Sequence, residues 1–473
     1  MLSSKTNDLS PKPLPAEWIE TLSSTFPPER FFTDPSDCLV YGQDNSRRLV
    51  CPGAVVQPEN TNEVVKVVTL CNRFGIPFIA RGRGTATTGA AVPPKGGVVI
   101  STEKMNRILS VQPQDRYAVV QPGVINQVLQ DNLLPDQLFW PPDPSSQAFS
   151  SIGGNLALNS AGPLAVKYGT PRENTLALEA VTASGKVIRT GSLCSKTSIG
   201  YDLTRLLIGS EGTLAIITEA TLKLSPRPTD RVLISAWYDS IQHAASAVSS
   251  IMAQPLIPCA LECMDSSTLN ILREHTSLDI PSAARAMLMI ELDGEPEALK
   301  HQQERLSDTA RNSGCLVIQC ATNPSEQEAL KAARKALSPA LRTLSPKKIN
   351  EDVVVPVSKI PALIEAIESM SQRHSVRIVS FGHAGNGNLH TNLLIDPNHP
   401  EEIQAAQSCL DELFKTVLSL GGALSGEHGI GLEKRPFMAL QYSPETLLLM
   451  QQIKSVFDPL SLLNPGKLLP DNT

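Results

Sequence analysis

"RIVSFGHAGNGNLHTNLLID", residues 377–396, decides how the second half of the chain is built. Two apolar runs flank a centre in which His383 and His390 stand seven residues apart around Gly385, Asn386 and Gly387. On a continuous helix the two histidines would share a face but lie about 10 Å apart along the axis, too far for one ion whose bonds to nitrogen are about 2.1 Å long. On a flat strand they would point to opposite faces. Gly and Asn tolerate positive φ, so the chain can fold back and bring both imidazoles to one point. The stretch therefore predicts a strand, a tight turn and a short return.

Upstream of it the pattern alternates strand and amphipathic helix: "VLISAWY" then "SIQHAASAVSSIMAQ", "ARAMLMIELDG" then "EPEALKHQQERLSDTARNSG", "CLVIQCA" then "PSEQEALKAARKALSPALRTL". Strands separated by helices predict an open sheet covered on one face. The first half reads differently. A Pro-rich arm, 1–50, carries one helix, "PAEWIETLSSTF". "AVVQP", "NTNEVVKVVTLCNRFG", "IPFIARGRGT" and "GGVVIST" then give strand, helix, strand, loop and strand, with Gly75 ending the helix. From 115 to 228 short strands recur around Gly-rich turns, with Ser184-Gly185 as a hairpin turn, and "SPRPTD" has the composition of a boundary. The tail is one helix, "SPETLLLMQQIKSVFDP", and the loop "LLNPGKLLP".

Composition excludes several classes of function. At 473 residues two or three structural units are expected. A net charge of -6 without a basic block, and 4% aromatic residues, give no reason to expect nucleic acid. No apolar run approaches the 18 or so residues of a membrane span, and the N-terminal residues lack a secretory apolar stretch, so a cytoplasmic or peripherally attached protein is expected. Nine cysteines without a C-x-x-C pair read as reduced thiols; without iron–sulfur spacing, an acceptor of that kind must lie on another chain.

Four Gly-flanked segments carry the chemistry. "ARGRGTATTGAA", 80–91, follows an apolar strand and exposes backbone N–H groups beside Arg81 and Arg83, which suits a phosphate or simply a tight turn. It is not a dinucleotide fingerprint, because Thr87 takes the third glycine position and no helical pattern follows, although Glu103 lies about 20 residues on as such a fingerprint needs. "PPDPSSQAFSSIGGNLALNSAGP" and "GYDLTRLLIGSEGTLAIITEATLKL" add Gly153-Gly154 and Gly209 to Gly212; each serves as a bend by itself, and the three together favour a large anionic ligand across strand ends. "LSGEHGIGLEK", 424–434, sets Glu427 beside His428. His383, His390 and Glu427 make a two-nitrogen, one-oxygen set that leaves open positions on Zn²⁺ or Mn²⁺, with His428 left to transfer a proton.

These residues resemble a family. "RGRGT", "DPSSQAFSSIGGNLALNSAGP", "YGTPREN", "KTSIGYDLTRLLIGSEGTLAIITEATL", "GHAGNGNLH", "SGEHGIGLEK" and "NPGKLL" are similar in kind and order to FAD-linked 2-hydroxy-acid oxidoreductases of the vanillyl-alcohol oxidase, PCMH-type superfamily, near its glycolate oxidase and D-lactate dehydrogenase group. The resemblance implies an α+β chain: an N-terminal arm (1–50), a two-subdomain FAD-binding domain (51–228), a cap domain with an open antiparallel sheet covered by helices (229–429), and a segment returning to the FAD domain (430–473). It implies that Arg81, Gly82, Arg83, Gly84, Thr85, Thr88 and Gly89 lie along the FAD diphosphate. Pro142, Asp143, Ser151, Ile152, Gly153, Gly154 and Asn155 would follow the isoalloxazine, Glu211, Gly212 and Ile216 would lie near the adenosine, and Asn464 would also bind the cofactor. Thr85 stands where some relatives bind flavin through His, which implies noncovalent FAD. Asn386 replaces a usual Asp, which removes a charge near the metal, and Ala90 replaces the second glycine of a Gly-Gly pair.

The implied reaction oxidises glycolate or D-lactate to the 2-oxo acid by hydride transfer to flavin, with His428 as base and a divalent metal on the substrate. Arg334 would clamp the carboxylate or serve as a solvated helix charge, and Asn392, on the face of His390, would help hold the substrate. Electrons would pass to a separate acceptor: a quinone, a cytochrome or an iron–sulfur subunit. A noncatalytic flavin-binding subunit and a zinc hydrolase or lyase are the alternatives.

Overall fold

The structure is a computed structural model that describes residues 13–470 apart from 277 and 322. Its chain forms two units, one comprising Gly162–Tyr168 and Pro228–Gly426, the other containing Gly169–Arg227 together with the preceding residues to Ala161 and those from Glu427 onward.

In the latter, the first unit, strands β1 (Phe31–Phe32), β2 (Ala54–Val56), β3 (Phe78–Arg81) and β4 (Val98–Ser101) form a sheet of order β1-β2-β4-β3. β2, β4 and β3 run parallel, with the helix Thr61–Phe74 connecting β2 to β3. The sequence specifies both ends of that helix: the Asn60 side chain accepts from Glu63 N at 3.0 Å, and Gly75 leaves it at φ 63. Its buried stripe of Val64, Val67, Val68 and Cys71 packs into a core with Val56, Phe78 and Ile100. β5 (Ile108–Gln112), β6 (Tyr117–Val120), β8 (Thr175–Thr182), β9 (Val187–Gly191) and β10 (Ala215–Lys223) form an antiparallel sheet of order β5-β6-β10-β8-β9. β8 and β9 are the expected hairpin, turning through Gly185 at φ 78. A short pair, β7 (Leu138–Phe139) with β11 (Ser225–Pro226), completes the unit.

The second unit is built on seven antiparallel strands: β12 (Asp230–Tyr238), β13 (Ala260–Met264), β14 (Ala286–Gly294), β15 (Cys315–Ala321), β16 (Lys347–Val354), β17 (Arg377–Gly382) and β18 (Asn388–Ile395). Their order is β15-β12-β14-β13-β17-β18-β16. Register fixes which side chains share a face. Leu233 pairs with Glu291, Trp237 with Met287, Glu262 with Met289, Met264 with Phe381, and Phe381 with His390. All of these therefore lie on one face, over which the helices Ser266–His275 and Pro324–Leu344 pack Leu269, Leu272, Leu337 and Leu341 against Trp237, Met287 and Phe381. The opposite face is also covered: Tyr238, of the other parity, donates its hydroxyl to Ala310 O at the end of the helix Pro296–Ala310 at 2.7 Å. Helices lie on both faces, not on one as the alternation alone predicts.

Candidate functional site

The polar end of that first face is where the two histidines meet. β17 runs directly into His383, and β18 brings His390 back opposite Phe381 on one side and Asp352 on the other. The predicted strand, turn and return is present: a 3-10 turn over Ala384–Asn386 is closed by Asn386 N and Asn388 N donating to His383 O at 3.0 and 3.2 Å. Gly387 has φ 75, and a Cβ there would lie 1.8 Å from Val355 O, so only glycine completes this turn. The two rings stand edge to face with their Nε2 atoms 3.5 Å apart. Two bonds of about 2.1 Å meeting near a tetrahedral angle span about that distance, so the pair fits a shared ion as well as it fits a direct hydrogen bond.

Behind His383 stands a carboxylate that the sequence reading passed over. Glu262 Oε1 lies 2.5 Å from His383 Nδ1, and Glu262 Oε2 takes a hydrogen bond from Arg334 Nε at 2.6 Å. Burial alone would raise the Glu262 carboxyl, but the His383 ring and the Arg334 guanidinium hold it well below the usual carboxylate range. Arg334 also stacks over Phe381, its guanidinium carbon 4.7 Å from the ring centroid. It is thus directed into the site and is not a solvated helix charge. Farther along the face the motif repeats: Arg231 and Lys331 meet Glu291, and Lys167 meets Asp293.

Asp352 is the second residue missed. Fully buried, it accepts from Asn388 Nδ2 at 2.6 Å, Ser425 Oγ at 2.7 Å and Gly426 N at 3.1 Å. It pins the loop from which the chain leaves the unit, and Glu427 and His428 are the next two residues. Their own backbone is held within the first unit, Glu427 O by Ser160 Oγ at 3.4 Å and His428 O by Thr88 Oγ1 at 3.2 Å. Asn392, fully buried on the face of His390, donates its amide to Val379 O and His390 O, and its Oδ1 is a buried acceptor without a partner among the described residues. The signal was present, Glu262 as a lone acid inside the apolar strand "ALECM" and Asp352 as the second of two acids leading the apolar run of "EDVVV", but strand pairing was needed to show where they point.

The Gly-rich loops of the first unit divide into supports and open positions. Arg81 is a support: its guanidinium donates to Gln43 O at 2.7 Å and Val40 O at 3.4 Å, underneath Gly84, whose φ is 66. Gly82 backs onto Ser151 Oγ and Arg83 pairs with Glu103 at 3.4 Å. Thr85 O accepts from Asn45 Nδ2, and Gly89 turns at φ 79 beside Leu432. Gly153 would clash with Pro122 if it carried a side chain, whereas a Cβ at Gly154 would meet only Ser151 Oγ at 3.4 Å, so Gly154 leaves its backbone open. Ser151 caps the helix Ile152–Leu158 by accepting from Gly154 N; Ile152 and Ile216 are core residues. Pro142 O and Asn155 Oδ1 both accept from Asn126 Nδ2, and Asp143 N donates to Ala161 O. Thr87 Oγ1 is buried without a partner among the described residues, the kind of atom a cofactor lying on this loop would satisfy.

Glu211 and Asn464 belong to a buried knot. The Glu211 carboxylate accepts from Ile430 N at 2.6 Å and Gly431 N at 2.8 Å, and Asn464 Nδ2 donates to Glu211 O beside Gly212 at 2.7 Å. Lys467 donates to Ala90 O, Val92 O and Asn464 Oδ1, and burial pushes its ammonium down to about 7. Burial likewise raises the Glu211 carboxyl, although both amides oppose it.

Residues 52–191 match the family model of the FAD binding domain, and residues 227–468 match that of FAD linked oxidases, C-terminal domain. Fold and matched regions together define an FAD-linked oxidoreductase. The chain belongs to the family of FAD-linked oxidases. It is 38% identical over 450 residues to the glycolate oxidase subunit GlcD of Bacillus subtilis (strain 168), covering 95% of this chain and 96% of that one. It is 35% identical over 468 residues to the D-lactate dehydrogenase of Archaeoglobus fulgidus, covering 96% and 99%. Among solved structures, p-cresol methylhydroxylase with substrate bound superposes with a TM-score of 0.78 at 17% identity, over 97% of this chain and 98% of that one. Alkyldihydroxyacetonephosphate synthase gives 0.78 at 19%, over 98% and 87%. No helix among the described residues is long and apolar enough to cross a membrane.

Proposed function

We propose that this chain is a D-2-hydroxy-acid dehydrogenase that oxidises glycolate or D-lactate with noncovalent FAD and a divalent metal, Zn²⁺ or Mn²⁺. The relatives named for glycolate and D-lactate supply the substrate class, and the carrying observation is the 3.5 Å approach of His383 Nε2 to His390 Nε2. FAD, when bound, supplies the hydride acceptor, and a divalent ion, when bound, supplies a Lewis acid for the carboxylate and hydroxyl oxygens of the substrate. His383, His390 and Glu427 are the ligands. His428 takes the proton of the substrate hydroxyl on an imidazole nitrogen. Arg334 holds the carboxylate through the guanidinium nitrogens not used on Glu262, and Asn392 Oδ1 accepts from a bound hydroxyl or water.

Thr85 offers no imidazole for a covalent flavin bond. In this reading residues 51–228 and 430–473 bind the cofactor and 229–429 cap it, behind the arm 1–50. The acceptor is a separate quinone, cytochrome or iron–sulfur subunit, consistent with a relative named as a subunit. A zinc hydrolase is not supported, since both halves match flavin-oxidase models. The test is flavin bleaching without oxygen: glycolate or D-lactate should bleach the protein, chelation should abolish this, and Zn²⁺ or Mn²⁺ should restore it. Failure of both acids to bleach fully loaded protein would remove the substrate assignment.

A further inference from the structure

We infer that Glu262 is a positioning residue that selects the tautomer of His383 and, with its other oxygen, aims Arg334, so that one buried carboxylate sets the metal ligand and the substrate clamp together. This rests on the metal reading above, and it concerns a residue from a different strand that no motif marks.

The geometry carries it. The Glu262 side chain is 2% exposed, so its two oxygens must be satisfied within the protein, and each has one partner: His383 Nδ1 at 2.5 Å and Arg334 Nε at 2.6 Å. An ionised carboxylate only accepts, so His383 must carry its proton on Nδ1. In the neutral ring, the form that binds a metal, the lone pair then lies on Nε2, the atom 3.5 Å from His390 Nε2. A carboxylate behind a ligating imidazole is the usual device for fixing ring orientation and raising basicity.

An amide at this position would break the arrangement in a specific way. A glutamine side chain in place of Glu262 would have one acceptor and one donor for two partners. Arg334, always charged, forms the stronger bond and takes the acceptor. The NH₂ is then left facing His383 Nδ1, which must accept, and the ring proton moves to Nε2, where it blocks the ion. Removing the competitor as well reverses this: with Arg334→Met, the amide carbonyl can turn back to His383 Nδ1–H.

The experiment compares wild type, Glu262→Gln, Arg334→Met, the double variant and His390→Ala as FAD-loaded proteins. Zn²⁺ affinity is read by competition with a chromophoric chelator, and flavin by absorbance. Glu262→Gln should weaken Zn²⁺ roughly 10- to 100-fold with flavin retained. Arg334→Met should leave Zn²⁺ affinity near wild type while raising KM. The double variant should recover most of the affinity lost in Glu262→Gln, although its KM stays high. A purely structural ion pair predicts the opposite, a double variant no better than the single one, and that result would overturn the assignment. So would a Glu262→Gln protein that binds Zn²⁺ like wild type while His390→Ala does not. Wild type and His390→Ala both failing to bind Zn²⁺ would instead remove the metal reading itself.

Discussion

Glu211 shows how a residue can be found in the sequence while the partners of its atoms stay hidden. The Gly-Ser-Glu-Gly turn that contains it was legible, and a cofactor contact was the natural expectation. In the fold its carboxylate is occupied by the amides of Ile430 and Gly431, two and three residues beyond His428. The Arg81 guanidinium is engaged in the same manner, donating to the carbonyls of Val40 and Gln43. Local sequence shows where a polar side chain begins, whereas the partner at its far end is contributed by a segment remote in the chain. Glu211→Gln keeps the volume but puts an NH₂ against one of two buried N–H groups. It should lower unfolding stability by about 2–4 kcal/mol, measured by urea denaturation of the FAD-loaded protein. A loss below about 0.5 kcal/mol would mean that the amides find other acceptors.

At the scale of elements, the hairpin at 381–392 and the helix Thr61–Phe74 follow from short-range rules: positive-φ residues in one, an Asn cap and a Gly stop in the other. Asp265 adds a long-range condition. It caps the helix Ser266–His275 by accepting from Thr268 N at 2.7 Å, and its second oxygen accepts from Ser380 N on β17, also at 2.7 Å. Burial outweighs these donors and pushes its carboxyl up to about 6. Because the folded value lies above the unfolded one, the folded state holds this proton more tightly. The contribution of Asp265 is therefore largest below the unfolded value of 3.8 and declines as pH rises through about 6. Stability of wild type relative to Asp265→Asn should fall between pH 4 and pH 7 and then level off, as read from urea midpoints across that range. A difference independent of pH would show that Asp265 titrates normally. In the turn, Gly387→Ala meets both a left-handed φ and the Val355 carbonyl, and should cost at least about 3 kcal/mol or yield no soluble protein.

Over the whole molecule, the proposed ligands His383 and His390 lie in one unit and the Gly-rich loops that match the FAD binding domain lie in the other. Replacing either histidine with Ala should remove metal and activity together and leave FAD bound. His428→Ala should keep metal and flavin while turnover falls roughly 10²- to 10⁴-fold, as for loss of a general base. Elemental analysis and flavin absorbance on the same samples separate the cases, and a His390→Ala variant that stays active would show that the histidines meet for packing alone. Denaturation should release the flavin; colour remaining with the precipitate would contradict noncovalent binding.

The sequence by itself determined the α+β class, the hairpin that brings two histidines together, the helix ends and the FAD-linked family, because turn chemistry, periodicity and ordered motifs act over a few residues. Only the tertiary structure decided that helices cover both faces of the seven-stranded sheet, that Glu262 stands behind His383 from 121 residues away, and that Asp352 and Glu211 anchor the two sides of the 425–431 loop. Those partners are set by strand order and register, which are properties of the assembled sheet and are written in no single segment.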